Sequence, residues 1–254
     1  MAPLSKDEHH QLVLQIQQAL SSTQVACSCV EEIGAGTTSF VFRGTLAHSL
    51  SSEIGELIDT VIIKHAAEFI SCDKDFPLDG SRSRYEATML AALCTFPLPS
   101  ALLFDILTRT PRLYHFEQNA NVEVIQYFPG TTTLKEALPS LPSAQAASIG
   151  HALGSWLRAF HTWTSTPEQN ELREDVAGNE KMKALKWKIT YEQGSDVLQR
   201  FPEVLGEEEK ELWEAIKASE KCRMANGADA EGDGGWGVVH ADFWTGKWAT
   251  SPLK

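Results

Sequence analysis

The chain has 254 residues, of which 43% are hydrophobic and 22% charged, and it is long enough for one large domain or for two lobes. Its formal net charge of -12 disfavours a nucleic-acid partner, because binding to a polyphosphate depends on clustered lysine and arginine residues. No segment approaches the ~20 consecutive apolar residues of a membrane span, and Asp7 and Glu8 interrupt the place where a signal peptide would be apolar. We therefore expect a cytoplasmic protein with no membrane partner.

The first part of the chain has the pattern of one helix followed by a sheet. Leu12, Ile16 and Leu20 recur at helical spacing, which predicts an amphipathic helix over residues 5–21. Extended segments rich in β-branched and aromatic residues follow, at residues 25–34, 38–46 and 59–69. Glycine or serine stretches separate them, which is typical of an antiparallel meander.

The sheet pattern continues on the far side of a second predicted helix. Residues 82–93 have helical periodicity, with Glu86 beside the apolar face of this helix. Residues 112–118 and 122–128 then predict two further strands, and Pro129 and the glycine after it end the second of them.

The rest of the chain is predicted to be mainly helical. Its helical segments lie at residues 131–138, 144–163, 179–193 and 207–222. A small, acidic, glycine-rich loop at residues 225–235 separates the last of them from the sequence GVVHADFWTGK. The predicted organisation is an N-terminal helix at residues 1–22, a β-rich lobe at 23–128 and a helical lobe at 129–254.

A glycine-rich motif lies between the first two predicted strands. Residues 33–42 are IGAGTTSFVF, a GxGxxSxV pattern that contains Gly34, Gly36 and Ser39. A strand-turn-strand of this kind lets backbone N–H groups approach phosphates, whereas a dinucleotide-binding fingerprint leads into a helix. Taken alone, the motif is weak and is more often an ordinary glycine-rich hairpin.

Lys64 ends an apolar strand, and a single lysine there is usually an edge or solvent residue. Its interpretation changes with Glu86, because a strand lysine and a helix glutamate form the pair that holds nucleotide phosphates in kinases. Six features follow one another in the order that is typical of kinases: a glycine-rich hairpin, the lysine, the glutamate, an extended connector, a helical lobe and a late His-x-Asp loop.

On these features the chain resembles the kinase-like phosphotransferases typified by aminoglycoside phosphotransferases, with choline and fructosamine kinases as relatives. The similarity extends from residue 33 to residue 246 and rests on IGAGTTSFVF, VIIK, RSRYEATML, VIQYFPGTTTL, LGSWLRAFH and VVHADFWTG. The resemblance implies an α+β, protein-kinase-like bilobal fold: an N-lobe with an antiparallel sheet and one helix, and a mostly helical C-lobe. It also implies transfer of the ATP γ-phosphate to the hydroxyl group of a small molecule.

The resemblance assigns roles to particular residues. Asp242 would be the catalytic aspartate that orients the substrate hydroxyl and accepts its proton, and His240 would brace the catalytic loop. The other assigned residues would bind the nucleotide: Gly34, Gly36 and Ser39 in the turn, Lys64 at the phosphates with Glu86 holding it, and Gln126, Tyr127 and Phe128 at the adenine.

The catalytic loop departs from the family pattern, which is His-Gly-Asp followed by Asn five residues later. Lys247 occupies the position of that Asn, and a protonated lysine has no acceptor with which to bind the Mg²⁺ expected for the family. The family continues with a strand and a second metal-binding aspartate, whereas the final residues, KWATSPLK, contain no acid. With the metal ligands absent, we expect weak or no kinase activity from this chain.

These departures leave two interpretations open. The first is a C-terminally truncated phosphotransferase with an incomplete C-lobe, from a shortened gene copy or a mispredicted exon end. The second is a non-catalytic, pseudokinase-like protein that binds a nucleotide or a partner, in which Lys247 pairs directly with phosphate in place of the metal. Neither the substrate nor the oligomeric state has a signature in the sequence.

Overall fold

The computed structural model describes residues 2–52, 55–97, 106–198, 200–201, 206–226, 238 and 249–250. The α-helices are α1 Lys6–Leu20, α2 Arg82–Leu93, α3 Leu134–Ala137, α4 Ser143–Thr164, α5 Asn170–Ala177, α6 Glu180–Trp187, α7 Gln193–Leu198 and α8 Glu207–Asn226. The strands are β1 Cys27–Ala35, β2 Phe40–Ser51, β3 Leu57–His65, β4 Phe69–Ile70, β5 Asp73–Pro77, β6 Leu113–Glu117, β7 Val122–Gln126, β8 Thr132–Thr133 and β9 Ala249–Thr250. No helix among these residues is long and apolar enough to cross a membrane.

Helix α1 begins at a capping box. The Glu8 backbone N–H donates to Ser5 Oγ at 3.3 Å, and the Ser5 N–H donates to Glu8 Oε2 at 2.7 Å. These two bonds satisfy backbone donors that the first turn of a helix leaves without partners. The helix ends at Leu20, so the predicted helix over residues 5–21 is confirmed.

Five strands form one antiparallel sheet in the order β1-β2-β3-β7-β6. The predicted antiparallel meander of the first three strands is confirmed, and β7 then pairs with β3 and places β6 at the edge. One face of the sheet contributes six buried apolar side chains: Phe40, Phe42, Val61, Ile63, Val122 and Val124. Helix α1 packs against this face with its own buried residues, Leu12, Ile16 and Leu20.

Because side chains alternate between the two faces along a strand, the residues next to these buried positions lie on the opposite face of the sheet. On β3 these include Lys64, and on β7 they include Glu123. Helix α2 lies on this side, since its Glu86 carboxylate reaches Lys64.

The helical half of the chain packs against α2. Helix α4 buries Trp156 and Phe160, whose stacked rings lie 5.3 Å apart, and Phe96 meets Trp156 edge to face at 5.7 Å. Met89 and Leu93 of α2 pack against this aromatic cluster. The sheet with its α2 helix, followed by a mainly helical half, confirms the predicted α+β organisation.

Several short elements differ from the sequence-based expectations. The third predicted strand, residues 59–69, ends at His65, and β4 pairs instead with β5 in a separate hairpin. Ala249–Thr250 pairs with Thr132–Thr133 in a part of the chain that was predicted to be mainly helical. Two-residue strands have too few residues to show an alternating pattern, so the sequence gives no signal for them.

The packing of α1 on the sheet predicts an asymmetric response to alanine substitution. Leu20 is 0% exposed, and Leu20→Ala should lower the free energy of unfolding by about 2–5 kcal/mol through lost burial and the cavity left behind. Leu14, on the same helix, is 44% exposed, and Leu14→Ala should cost less than ~1 kcal/mol. Urea denaturation measures both values, and equal losses would contradict the packing of α1 on the sheet.

Candidate nucleotide-binding site

A row of cross-strand neighbours runs over all five strands of the sheet. The paired positions are Gly34 with Val41, Val41 with Lys64, Lys64 with Glu123, and Glu123 with Phe116. Directly opposed residues in antiparallel strands have their side chains on the same face, with Cβ atoms about 4.5–5.5 Å apart. The register of the sheet therefore places Gly34 and the predicted phosphate-binding lysine on the same face, two strands apart, with Val41 between them.

Lys64 forms a hydrogen-bonded ion pair with Glu86 of α2, as the sequence predicted. The lysine side chain is 22% exposed, so one side of the pair is open to solvent. Burial alone would lower the pKa of Lys64, but the carboxylates of Glu86 and Glu123 outweigh it and raise this pKa above its ordinary value. Lys64 is therefore a permanent cation at the sheet surface.

Glu123 is a second carboxyl group beside Lys64, and it was not among the predicted site residues. It is 1% exposed, and its Oε2 atom has no hydrogen-bond partner among the residues that the structure describes. Burial and, secondarily, the charge of Glu86 raise its pKa from 4.5 to about 8, against the opposing effect of Lys64 and Arg82. The sequence signal for it is an acid in the middle of an otherwise apolar strand, NVEVIQ.

The glycine-rich turn between β1 and β2 needs its glycines. A Cβ atom at Gly36 would lie 2.5 Å from the carbonyl oxygen of Ser39, closer than such atoms approach. Gly34 has φ +154°, a conformation that residues with a side chain rarely adopt. These two predicted residues thus let the chain turn tightly directly beside the lysine.

Side chains from outside the hairpin hold this turn. Ser71, between β4 and β5, donates its hydroxyl hydrogen bond to the Gly36 carbonyl oxygen. Arg82, the first residue of α2, donates from Nη2 to the Thr38 carbonyl oxygen at 2.5 Å. Neither Ser71 nor Arg82 was predicted, since a bond from a side chain to a distant backbone carbonyl leaves no local sequence pattern.

Arg82 also binds the segment that joins β3 to α2. Its Nη1 donates to the carbonyl oxygens of Ala67 at 2.9 Å, Asp79 at 2.8 Å and Leu78 at 3.3 Å. One guanidinium therefore ties the glycine-rich turn to the start of the helix that carries Glu86.

The predicted adenine-binding connector follows β7. The Gln126 N–H donates to the Arg112 carbonyl oxygen at 2.8 Å, and the Phe128 carbonyl oxygen accepts from Thr131 Oγ1 at 2.9 Å. The guanidinium of Arg109 lies 4.7 Å from the centroid of the Phe128 ring. Gln126 thus ends the strand that carries Glu123, three residues after that glutamate, and Tyr127 and Phe128 follow it directly.

The predicted catalytic residues His240 and Asp242, and Lys247 with them, lie outside the described residues. The described neighbours of this segment are in contact with the rest of the chain. The Val238 N–H donates to Thr164 Oγ1 at 3.2 Å, and Val238 packs against the aromatic cluster of α4. The structure thus pairs Lys64 with Glu86 on the face that also carries Gly34, and both the nucleotide-binding and the catalytic roles stay predictions.

The magnesium ion expected from the resemblance has no ligand set in the part of the chain that is described. No group of three or more His, Cys, Asp or Glu residues there could hold a metal ion. Lys247, at the position of the family's Asn ligand, offers no acceptor atom and lies outside the described residues, so the absence of a magnesium site stays a prediction.

Comparison with known proteins supports the sequence-based resemblance. No protein-family model matches the chain. A phosphotransferase named FrzJ, from a Cladobotryum species, is 28% identical over 241 residues, an alignment that covers 90% of this chain and 60% of FrzJ. Among solved structures, the streptomycin-ATP-APH(2")-IIa ternary complex aligns with 90% of this chain and 62% of that chain, at 13% identity and a TM-score of 0.39.

The chain is therefore similar, over most of its own length, to a known phosphotransferase, and it spans 60% of the length of that relative. This similarity confirms the predicted resemblance to phosphotransferases.

The raised pKa of Glu123 predicts a pH-dependent stability. Because this pKa is about 8 in the folded chain against 4.5 ordinarily, the folded state binds more protons between these values, and stability falls as pH rises through that window. Glu123→Gln, which stays neutral, should lack this fall, which is on the order of a few kcal/mol. Urea denaturation from pH 5 to pH 8.5 measures this change in the free energy of unfolding.

Glu56→Gln, which removes an exposed carboxylate from the same lobe, should behave as the wild type does. Identical pH profiles for all three proteins would contradict a buried, protonated Glu123.

Proposed function

We propose that the protein is an ATP-dependent phosphotransferase that transfers the γ-phosphate to a hydroxyl group of a small molecule, with an activity weakened by Lys247 at the position of the family's metal-binding Asn. The observation that carries this proposal is the Lys64–Glu86 ion pair on the sheet face beside the glycine-rich turn. Similarity to a protein named phosphotransferase supports the same class of reaction.

In this proposal the N-lobe binds the nucleotide. The Lys64 ammonium has three donors, of which Glu86 engages one and holds the group in place, so donors remain for phosphate oxygens. Backbone N–H groups of the glycine-rich turn approach the phosphates from the other side, since Gly34 and Gly36 present no side chain there. The backbone of residues 126–128 meets the adenine.

The transfer step in this proposal belongs to the catalytic loop. The substrate hydroxyl oxygen forms a bond to the γ-phosphorus, the bond from that phosphorus to the β-phosphate oxygen breaks, and ADP leaves. Asp242 orients the hydroxyl and takes its proton, while His240 braces the loop. The formal charge of -12 favours a neutral or cationic acceptor molecule.

A second function is ATP binding without transfer. Lys247 at the family's Asn position favours it, because a lysine there would pair with a phosphate rather than with a metal ion. Both functions need Lys64, whereas only transfer needs Asp242, so two variants separate them.

Two measurements together test the proposal: the affinity for ATP by calorimetry, and the rate of ATP turnover with a panel of small compounds that carry hydroxyl groups. Lys64→Met should weaken ATP binding by about 10-fold or more, because a charge-assisted phosphate contact is lost. Lys74→Met, which removes a lysine that pairs with Glu8 away from this face, is the matched control and should bind as the wild type does.

Asp242→Asn should keep ATP binding and lose turnover by about 10²- to 10⁴-fold. Turnover that survives in Asp242→Asn would contradict its role as the base. ATP binding by the wild type with no turnover on any acceptor would favour the second function, and ATP binding unaffected by Lys64→Met would contradict both.

The glycine-rich turn gives an independent prediction. Gly36→Ala places a methyl group against the Ser39 carbonyl and shifts the turn, so ATP affinity should fall by about 5-fold or more. Gly154→Ala, in helix α4, meets no atom within 4 Å and should leave affinity unchanged while slightly stabilising the protein. Equal ATP affinities in Gly36→Ala and the wild type, by calorimetry, would show that the turn does not contact the phosphates.

A further inference from the structure

Glu123 has no role in the proposed nucleotide site as described so far. The ammonium of Lys64 already has a carboxylate partner in Glu86, yet the sheet register places a second carboxyl group directly opposite Lys64. Glu123 lies on β7, between β3 and β6, with 1% of its surface exposed and with Oε2 unpartnered among the described residues. A buried polar atom without a partner destabilises a fold, so its retention here calls for a reason.

The charged groups around Glu123 come from two elements. They are Lys64 on β3, and Glu86 and Arg82 on α2. On the other flank, β6 places the apolar Phe116 opposite Glu123. Arg82 donates to four backbone carbonyl oxygens, whereas among the described residues the three donors of Lys64 have one hydrogen bond, to Glu86. Lys64 is thus the cation with donors to spare for the second carboxyl group.

We propose that Glu123 is a positioning residue for Lys64: when ionised, its carboxylate is a second partner of the ammonium and competes with the nucleotide phosphates for it. The proposal rests on the proposed function, because it concerns the same lysine and the same nucleotide. Glu123 acts through Lys64 and need not touch the nucleotide itself. Two anions, the carboxylate and the phosphate, then share one cation, and each disfavours the other by charge repulsion.

Protonation decides which partner Lys64 has. Burial raises the pKa of Glu123 to about 8, so near neutral pH the group is mostly a neutral acid and leaves Lys64 to Glu86 and the phosphates. Above that pH the Glu123 carboxylate forms and attracts the Lys64 ammonium. Phosphate groups, with a second pKa near ~6, are already ionised throughout this range, so their own titration does not produce the change.

The first experiment measures the affinity for ATP by calorimetry at pH 7 and pH 9. The wild type and the exposed-site control Glu56→Gln should bind ATP at least about 5-fold more weakly at pH 9, the lower end of ordinary coupling between two sites. Glu123→Gln, neutral at both values, should show no such loss. Adenosine, which lacks phosphates, should bind independently of pH in all three proteins. An equal loss in Glu123→Gln and the wild type, or no loss in the wild type, would overturn the competition.

A second experiment needs no nucleotide and keeps the two proposals distinguishable. At pH 9 the acylation rate of the Lys64 amine by an N-hydroxysuccinimide ester, followed by peptide mass spectrometry, reports how strongly carboxylates hold its proton. Glu123→Gln should react about 5-fold faster than the wild type, and Glu56→Gln at the wild-type rate. Equal rates in all three would overturn the pairing of Glu123 with Lys64.

If no protein binds ATP at either pH, the proposed function fails and the acylation rates alone decide the pairing. Glu123→Met, an unbranched apolar side chain of similar length, repeats both measurements should the glutamine amide prevent folding. Faster acylation in that variant supports the pairing, and an unchanged rate overturns it.

Discussion

The ammonium of Lys64, set into one face of the sheet, is the constraint on which the rest of the arrangement depends. A partly buried charge is costly unless an opposite charge lies within reach, and Glu86 supplies one from α2. The helix must therefore stay against this face of the sheet. Arg82 holds its first turn, and Met89 and Leu93 pack its last turn against the aromatic cluster of α4. One ion pair thus links the sheet, α2 and the helical half of the chain.

The two faces of the sheet have different physical tasks. Helix α1 covers the first face mainly with apolar packing, and His9 of this helix also lies 3.5 Å from the Glu32 carboxylate of β1. The second face carries the charges and the glycine-rich turn. The register of the strands fixes which of these residues are neighbours. The first four residues of β7, Val122 to Ile125, are buried on both faces of the sheet, and Glu123 shares that burial despite its charge.

The elements that the sequence predicted well are those with a long local pattern. Helix α2 has the predicted bounds, since its periodicity extends over 12 residues, and Thr133 caps α3 as its own sequence indicates. The pairing of Lys64 with Glu86 also followed from residue order. The position of Glu123 opposite Lys64 could not be predicted. It depends on β7 pairing with β3 as well as with β6, and on the register of that pairing. The bonds from Ser71 and Arg82 depend on the same long-range geometry.

The most direct test of the central role of Lys64 is a crystal structure of the protein grown with a non-hydrolysable ATP analogue. We expect Lys64 Nζ within ~3.2 Å of an α- or β-phosphate oxygen, with its bond to Glu86 retained and the glycine-rich turn over the phosphates. An analogue bound elsewhere, or phosphates more than ~5 Å from Lys64 Nζ with the ion pair intact, would contradict the assignment of this face as the nucleotide site.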